Sequence, residues 1–356
     1  MRHSFSWLTG AVLVICIAGL TQAQDQASRE NIVAEWASSA HADAAAEAFT
    51  HWNDEGEIPD RCALCHAGAG LRSFYGFDGS TAGEVPALPT GGVVDCDTCH
   101  VAGAMTIAEV RFPSGTMLSA PFGNGTCFTC HQGRQSGPGV ATALEGKEDD
   151  TVDPEIRFLN PHYKAAAATM HGGVAQGMYE YPGKDYADLY AHAPEPLCTS
   201  CHSPHSLEVQ TEALCSACHR VDDPKAIRVS TADFDGDGDT AEGIHGEIAT
   251  LHAQLGAAIL DYGRDTAGTP VVYSAGRYPY FFTDTDADGE EDEGEAAYPN
   301  RYASWTPRML RAAYNYQFVA KDPGAYAHNP DYVLQVLIDT LEDLTGSTGS
   351  ALIRPE

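Results

Sequence analysis

The chain has 356 residues, with 50 Asp and Glu against 20 Lys and Arg and a formal net charge of −30. Such acidity excludes nucleic acid and anionic lipid as electrostatic partners; it favours cationic partners, bound metal ions or simple solubility. Beyond the N-terminal segment no apolar run is long enough to span a bilayer, while 35 Gly and 20 Pro make much of the chain loop-rich.

Residues 1–23 read as a secretory signal peptide. Arg2 supplies the positive end, Leu8–Leu20 a short apolar run, and Thr21-Gln22-Ala23 a small-residue cleavage site. Removal of that segment takes Cys16 with it and places the remainder in the periplasm or outside the cell. Residues 29–52, rich in Ala and Glu and free of Pro and Gly, predict one helix carrying His41 and His51.

Five copies of one pattern follow. They are Cys62-x-x-Cys65-His66, Cys96-x-x-Cys99-His100, Cys127-x-x-Cys130-His131, Cys198-x-x-Cys201-His202 and Cys215-x-x-Cys218-His219. Cys-x-x-Cys-His is the attachment site of a c-type haem. Two thiols add to the two vinyl groups, and the adjacent His turns under the iron as its proximal ligand. Zinc ribbons use Cys-x-x-Cys pairs two at a time, and redox pairs need no His after the second Cys. All ten Cys beyond residue 23 belong to a copy. Five covalent haem c groups are therefore expected between Cys62 and His219. That stretch is too short for an ordinary apolar core, so the porphyrins form the core, with short helices, extensive coil and little β-structure.

Within this stretch Asn160-Pro161, followed by an Ala run and ended by Gly172-Gly173, predicts a capped helix carrying His162 and His171. Tyr179–Tyr190 is an aromatic loop suited to a haem face or edge. After His219 the composition changes. The reading is a pentahaem domain over 24–220 and a C-terminal region of acidic loops and helices over 221–356, packed on it. Ile244, Ile248, Leu251, Leu255 and Ile259 form one helical stripe. Thr306-Pro307 opens a second helix running to about Ala320. Asn329-Pro330 opens a third, with Val333, Val336, Leu337, Leu341 and Leu344 on its apolar face.

Each iron has a second axial position. A second His gives a low-potential electron carrier, Met raises the potential, and an open position admits substrate. His205 and His192 lie close to haem motifs, and His162 and His171 bracket the Ala-rich segment. Of His41 and His51, one serves the first haems. His245 and His252, on the amphipathic helix, read as plain surface or core residues. With His in surplus, Met170 and Met178 are not needed. Two acidic loops suit Ca²⁺. Asp284, Asp286 and Asp288 with Glu295 at position twelve match the EF-hand loop. Asp233, Asp235 and Asp237 begin a similar one, but Ile244 holds its twelfth position, so Glu242 or Glu247 must substitute.

On its five motifs, the chain resembles multihaem c-type cytochromes of bacterial respiratory chains. His328-Asn329-Pro330-Asp331-Tyr332, followed by a helix, is similar to the C-terminal element of the pentahaem nitrite reductase and hydroxylamine oxidoreductase group. That resemblance implies a distal role for His328, since the equivalent His there is an axial ligand. The chain departs from the nitrite reductases in that all five motifs end in His; those enzymes place Lys at the catalytic haem. Electron transfer through mostly bis-His haems in anaerobic or extracellular respiration is the first functional expectation. Its partners would be other redox proteins or extracellular acceptors, in a single chain, a homo-oligomer or a filament. The alternative is an oxidoreductase acting on a small nitrogen or sulfur compound at one open haem, with Arg134, Tyr179, Tyr181 or Tyr186 as donors.

Overall fold

The computed structural model describes residues 26, 28–190, 192, 197–347 and 352–356. The expected signal segment lies outside the described residues. The chain clusters into two compact units, and the second interrupts the first. One comprises the residues up to Ala104 and returns for Cys198–Gln210; the other comprises Met105–Leu197 and Thr211–Glu356. Residue 220 lies inside the second. As the sequence implies, the molecule is mostly helical with extensive coil; among the described residues, strands form three two-stranded antiparallel ladders.

In the first unit, α1 (28–37) is followed by α2 (Glu47–Thr50), α3 (Asp60–His66), α4 (Gly68–Phe74), α5 (Cys96–His100) and α9 (Cys198–Cys201); β1 (Glu57–Ile58) pairs with β2 (Leu88–Pro89). The single helix expected over 29–52 is broken. Ser38 and Ser39 turn their hydroxyls back onto the carbonyls of Glu35 and Trp36, each at 2.7 Å. Such local bonds compete with helix propagation. Trp36 Nε1 then donates to Val94 O at 3.0 Å, and Val94 N donates to His41 O at 3.2 Å. His41 thus sits in a turn, and His51 just beyond α2. The α3–α4 corner needs Gly70: a Cβ there would lie 1.9 Å from Ala63 O. Asp95 caps α5, accepting from Thr98 N at 3.0 Å, and Arg72 holds Asp95 with both terminal guanidinium nitrogens, Nη1 and Nη2.

The second unit contains β3 (Glu109–Arg111) paired with β4 (Met117–Ser119), then α6 (Asn124–His131), α7 (Gly137–Ala143), α8 (Ala166–Ala175) and α10 (Thr211–His219). It continues through α11 (Ile244–Asp265), the ladder of β5 (Val271–Tyr273) with β6 (Phe281–Thr283), α12 (Pro307–Lys321), α13 (Ala325–His328) and α14 (Pro330–Thr345). The helix expected from Asn160 starts later. Asn160 Oδ1 accepts from His162 N at 3.0 Å, an Asx turn rather than a helix cap, and His162 and Lys164 have φ of 80° and 54°. Only from Ala166 is the backbone helical, so His171 lies on α8 and His162 before it.

Helices α11, α12 and α14 pack on one another. The two stripes read from the sequence meet there with the middle helix: Ile248, Leu251, Leu255 and Ile259 are buried with Val333, Val336 and Leu337, and with Leu310 and Phe318 of α12. Each such side chain contributes about 1.5–3 kcal/mol by leaving water. Thr306 Oγ1 accepts from Met309 N and Asn329 Oδ1 from Tyr332 N, both at 3.2 Å, with Pro at the first helical position in each case. Gly346, at φ 70°, ends α14.

Candidate metal centres

The Cys-x-x-Cys-His motifs sit on short helices. His66, His100, His131 and His219 are the last residues of α3, α5, α6 and α10, and His202 directly follows α9. On a helix, positions i and i+3 share a face, so the two sulfurs of a motif stand one turn apart with the His beside them at the helix end. Motifs one, two and four lie in the first unit, three and five in the second.

Three of the motif histidines are oriented by backbone carbonyls. His66 Nδ1 lies 2.6 Å from Ala48 O, His131 Nδ1 2.9 Å from Lys164 O, and His202 Nδ1 2.9 Å from Leu207 O. A carbonyl only accepts, so Nδ1 carries the hydrogen and Nε2 keeps the lone pair that binds a metal. Burial lowers the His131 pKa, which favours that neutral form.

The other two are paired with second histidines. The rings of His100 and His205 are nearly parallel, 17° apart, with centroids 6.3 Å apart; His219 faces His192 at 6.1 Å and 34°. These are not contact stacks. His252 lies on Tyr316 at 3.9 Å, which is what ring contact looks like in this molecule. With a metal–imidazole bond of about 2.0 Å on each side, two rings facing each other across one metal have centroids about 6 Å apart. The centroid separation of each pair is therefore close to that of two imidazoles bound end-on to one metal. His205 Nδ1 lies 3.8 Å from Glu35 Oε2.

The remaining candidates are placed singly. His171 is buried against Phe112 and Phe128, its Nδ1 2.9 Å from Ala167 O, and burial lowers its pKa. His328 Nδ1 faces both oxygens of Asp322 at 2.9 Å, and Asp322 also accepts from Thr169 Oγ1 at 2.7 Å. Although burial opposes it, the Asp322 charge raises the His328 pKa. Asp322 was missed by sequence reasoning, and no spacing marks it. The carbonyls of Ala48, Lys164 and Leu207 carry no side-chain signal at all. His51 is exposed beside Trp52, and His162 packs on Tyr163. His252 Nε2 lies 2.9 Å from Tyr316 O, and His245 meets Tyr326 edge-on. Tyr179 lies under Arg311, and Tyr186 Oη accepts from Tyr181 N at 2.9 Å while its ring meets Tyr332.

Both acidic loops gather their carboxylates. Oxygens of Asp284, Asp286 and Glu295 lie within 4.8 Å of one another, as do those of Asp286, Asp288 and Asp292. Glu295 accepts from Thr285 N at 2.6 Å and Asp292 N at 3.2 Å, and Asp284 from Ala287 N and Gly289 N. In the other loop Asp233, Asp235 and Glu247 form one such triad, and Asp235, Asp237 and Glu242 a second. The structure thus brings in both residues between which the sequence left the choice open.

No family model matches the chain, and no solved structure matches it. The chain is similar to polyhaem c-type cytochromes. It is 26% identical over 356 residues to C-type polyheme cytochrome OmcB of Geobacter sulfurreducens in two strains, covering 84% of this chain and 46% of the relative. To C-type polyheme cytochrome OmcC of the same species it is 25% identical over 368 residues, covering 84% and 45%. The chain spans about half the length of the curated relatives it matches. This likeness, extending over most of the chain, supports a multihaem c-type cytochrome. No helix among the described residues is long and apolar enough to cross a membrane.

Proposed function

We propose that the chain is an exported pentahaem c-type cytochrome that passes electrons along closely spaced, mostly bis-His haems to other redox proteins or extracellular acceptors. Its place is the periplasm or the cell surface. The observation that carries this reading is the centroid separation of His100 and His205, repeated between His219 and His192. Each pair joins a motif His to a His outside the motifs, as a six-coordinate haem requires. The ten motif Cys would hold the porphyrins covalently, and the carbonyls facing His66, His131 and His202 at Nδ1 would leave Nε2 as the nitrogen that binds the metal. Bound haem supplies reversible one-electron chemistry, and the protein sets its spacing, ligands and dielectric. His41, His51, His162, His171 and His328 are the distal candidates for the three other haems. Asp322 would hold His328 with Nε2 outward.

Haem content and the electron paramagnetic resonance spectrum of the oxidised protein test this. Five haems per chain, all low-spin, are expected. A high-spin haem would mean an iron open to substrate. It would replace the electron-carrier reading with that of an oxidoreductase acting on a small nitrogen or sulfur compound.

A further inference from the structure

The loop at Asp233–Asp239 does not complete a twelve-residue calcium loop in sequence, yet it closes on something in space. Asp235 belongs to both of its carboxylate triads, with Asp233 and Glu247 in one and Asp237 and Glu242 in the other, so the two triads meet at this residue. Several of the triads' oxygens are occupied. Asp233 accepts from Gly236 N and Gly238 N at 2.7 and 2.9 Å, and Glu247 Oε2 accepts from Phe234 N and Asp235 N, both at 2.9 Å. Glu247 Oε1 is ion-paired with Arg228 Nη1 at 2.5 Å.

Asp235 is different. Its residue is 2% exposed, Oδ1 accepts from Asp237 N at 3.1 Å, and Oδ2 is buried with no donor in hydrogen-bonding geometry. Glu242 Oε1 is a second buried carboxylate oxygen with no donor. Leaving one such oxygen bare costs about 1–3 kcal/mol, and more for a charged group. Five carboxylates converge here against the single guanidinium of Arg228. A cation held at Asp235, where the two triads meet, would satisfy its bare oxygen and offset the repulsion.

We infer that Asp233, Asp235, Asp237, Glu242 and Glu247 hold one divalent, oxygen-seeking cation, of the Ca²⁺ class, centred on Asp235. An all-oxygen donor set with no His or Cys selects a hard ion. The irregular set, drawn from a loop, its far end and the first turn of α11, suits Ca²⁺, which takes six to eight oxygens in flexible geometry. Mg²⁺ demands a regular octahedron and keeps its waters. The site ties the loop to the start of α11 through Glu247. It does not depend on the haem reading.

The test uses the full haem-loaded protein, stripped with a chelator and desalted. CaCl₂ is titrated calorimetrically, and hydrogen exchange is followed with and without CaCl₂. In the wild type, exchange across residues 233–247 is expected to slow when Ca²⁺ is added, with MgCl₂ at least tenfold less effective. Asp235→Asn should lose one bound Ca²⁺ per chain and the protection of 233–247, with the haem spectrum unchanged. Glu242→Gln, at a less buried position, should weaken binding at least tenfold and stands in if Asp235→Asn misfolds. Peptides over 284–295 report the other acidic loop separately. The inference is overturned if Ca²⁺ leaves exchange at 233–247 unchanged in the wild type, or if both variants bind as much Ca²⁺ as the wild type.

Discussion

Glu180 is a carboxyl held where water is scarce. Burial pushes its pKa up to about 7, against the partial opposition of a hydrogen bond from Tyr332 Oη to its Oε1 at 3.0 Å. In the unfolded chain the same group ionises near its ordinary 4.5. The folded state therefore binds the proton more tightly. The stability this adds is full below about pH 4.5 and is lost as pH rises through about 7. Glu180→Gln, which keeps an acceptor for Tyr332, should melt higher than the wild type at pH 8 and close to it at pH 4.5. Thermal melts of the two proteins across that range check it; a constant difference at every pH would count against the assignment. Glu242 rises in the same direction, again chiefly through burial, but it is present in both proteins and cancels in the comparison. A second residue-scale expectation concerns His205. If it is the second ligand facing His100, His205→Met keeps that haem six-coordinate but raises its potential, because thioether ligation favours the reduced iron. A redox titration should then show one haem shifted upward and the others in place. A titration curve unchanged from the wild type would remove His205 from the ligand set.

At the scale of elements, the helix caps of the second unit can be weighed one against the other. Thr306 caps α12 through Oγ1, which also shares a hydrogen bond with Tyr262 Oη at 3.0 Å; Tyr262 keeps Asp150 Oδ1 as a partner at 2.7 Å, so Thr306→Ala should cost about 1 kcal/mol. Asn329 does more: besides capping α14, its Nδ2 donates to Asp188 O at 2.8 Å, and the residue is fully buried. Asn329→Ala should cost about 2 kcal/mol, since it also removes the donor to Asp188 O. Denaturant midpoints would order the two variants, and equal losses would contradict this account. Both caps were legible in the sequence, because Thr-Pro and Asn-Pro ahead of apolar periodicity are local signals. The stripe on α11 was legible for the same reason. The break after residue 37 was not. It depends on Trp36 reaching Val94, a contact far away in sequence, and on Ser hydroxyls that read equally well as helix surface. Asn160 misled because an Asx turn and a helix cap use the same side chain; the positive φ at His162 and Lys164 decides between them, and no residue type there announces it. The site divides in the same way. The Cys-x-x-Cys-His motifs are contiguous and stand out in the sequence. The facing of His100 by His205 joins residues a hundred positions apart, and only the fold brings them together.

At the scale of the whole molecule, the two units differ in what they can bury without cofactor. Among the described residues, the buried apolar side chains of the first unit are Phe49, Ile58, Ala63, Ala67, Leu71 and Ala104, half of them alanine. Ordering each residue costs about 1–2 kcal/mol of backbone entropy, so a unit of roughly this size cannot be held by so few small contacts. Three of the five Cys-x-x-Cys-His motifs lie in that unit, and on the proposed reading porphyrin faces would be the apolar surface that makes up the deficit. The second unit is differently built. Helices α11, α12 and α14 bury Leu251, Leu255, Ile259, Leu310, Phe318, Val333, Val336 and Leu337 against one another, with caps at the start of two of them. A chain with its ten motif Cys changed to Ser, and so without attached haem, should therefore lose order unevenly. Limited proteolysis should cut it first within 40–104 and 198–210, and a fragment spanning 244–345 should persist, more so with Ca²⁺ present. The haem-loaded protein should resist cleavage in both places. Equal protection of the first unit in the haem-free chain would show that its side chains suffice without porphyrin, and the idea that the haems form its core would fail.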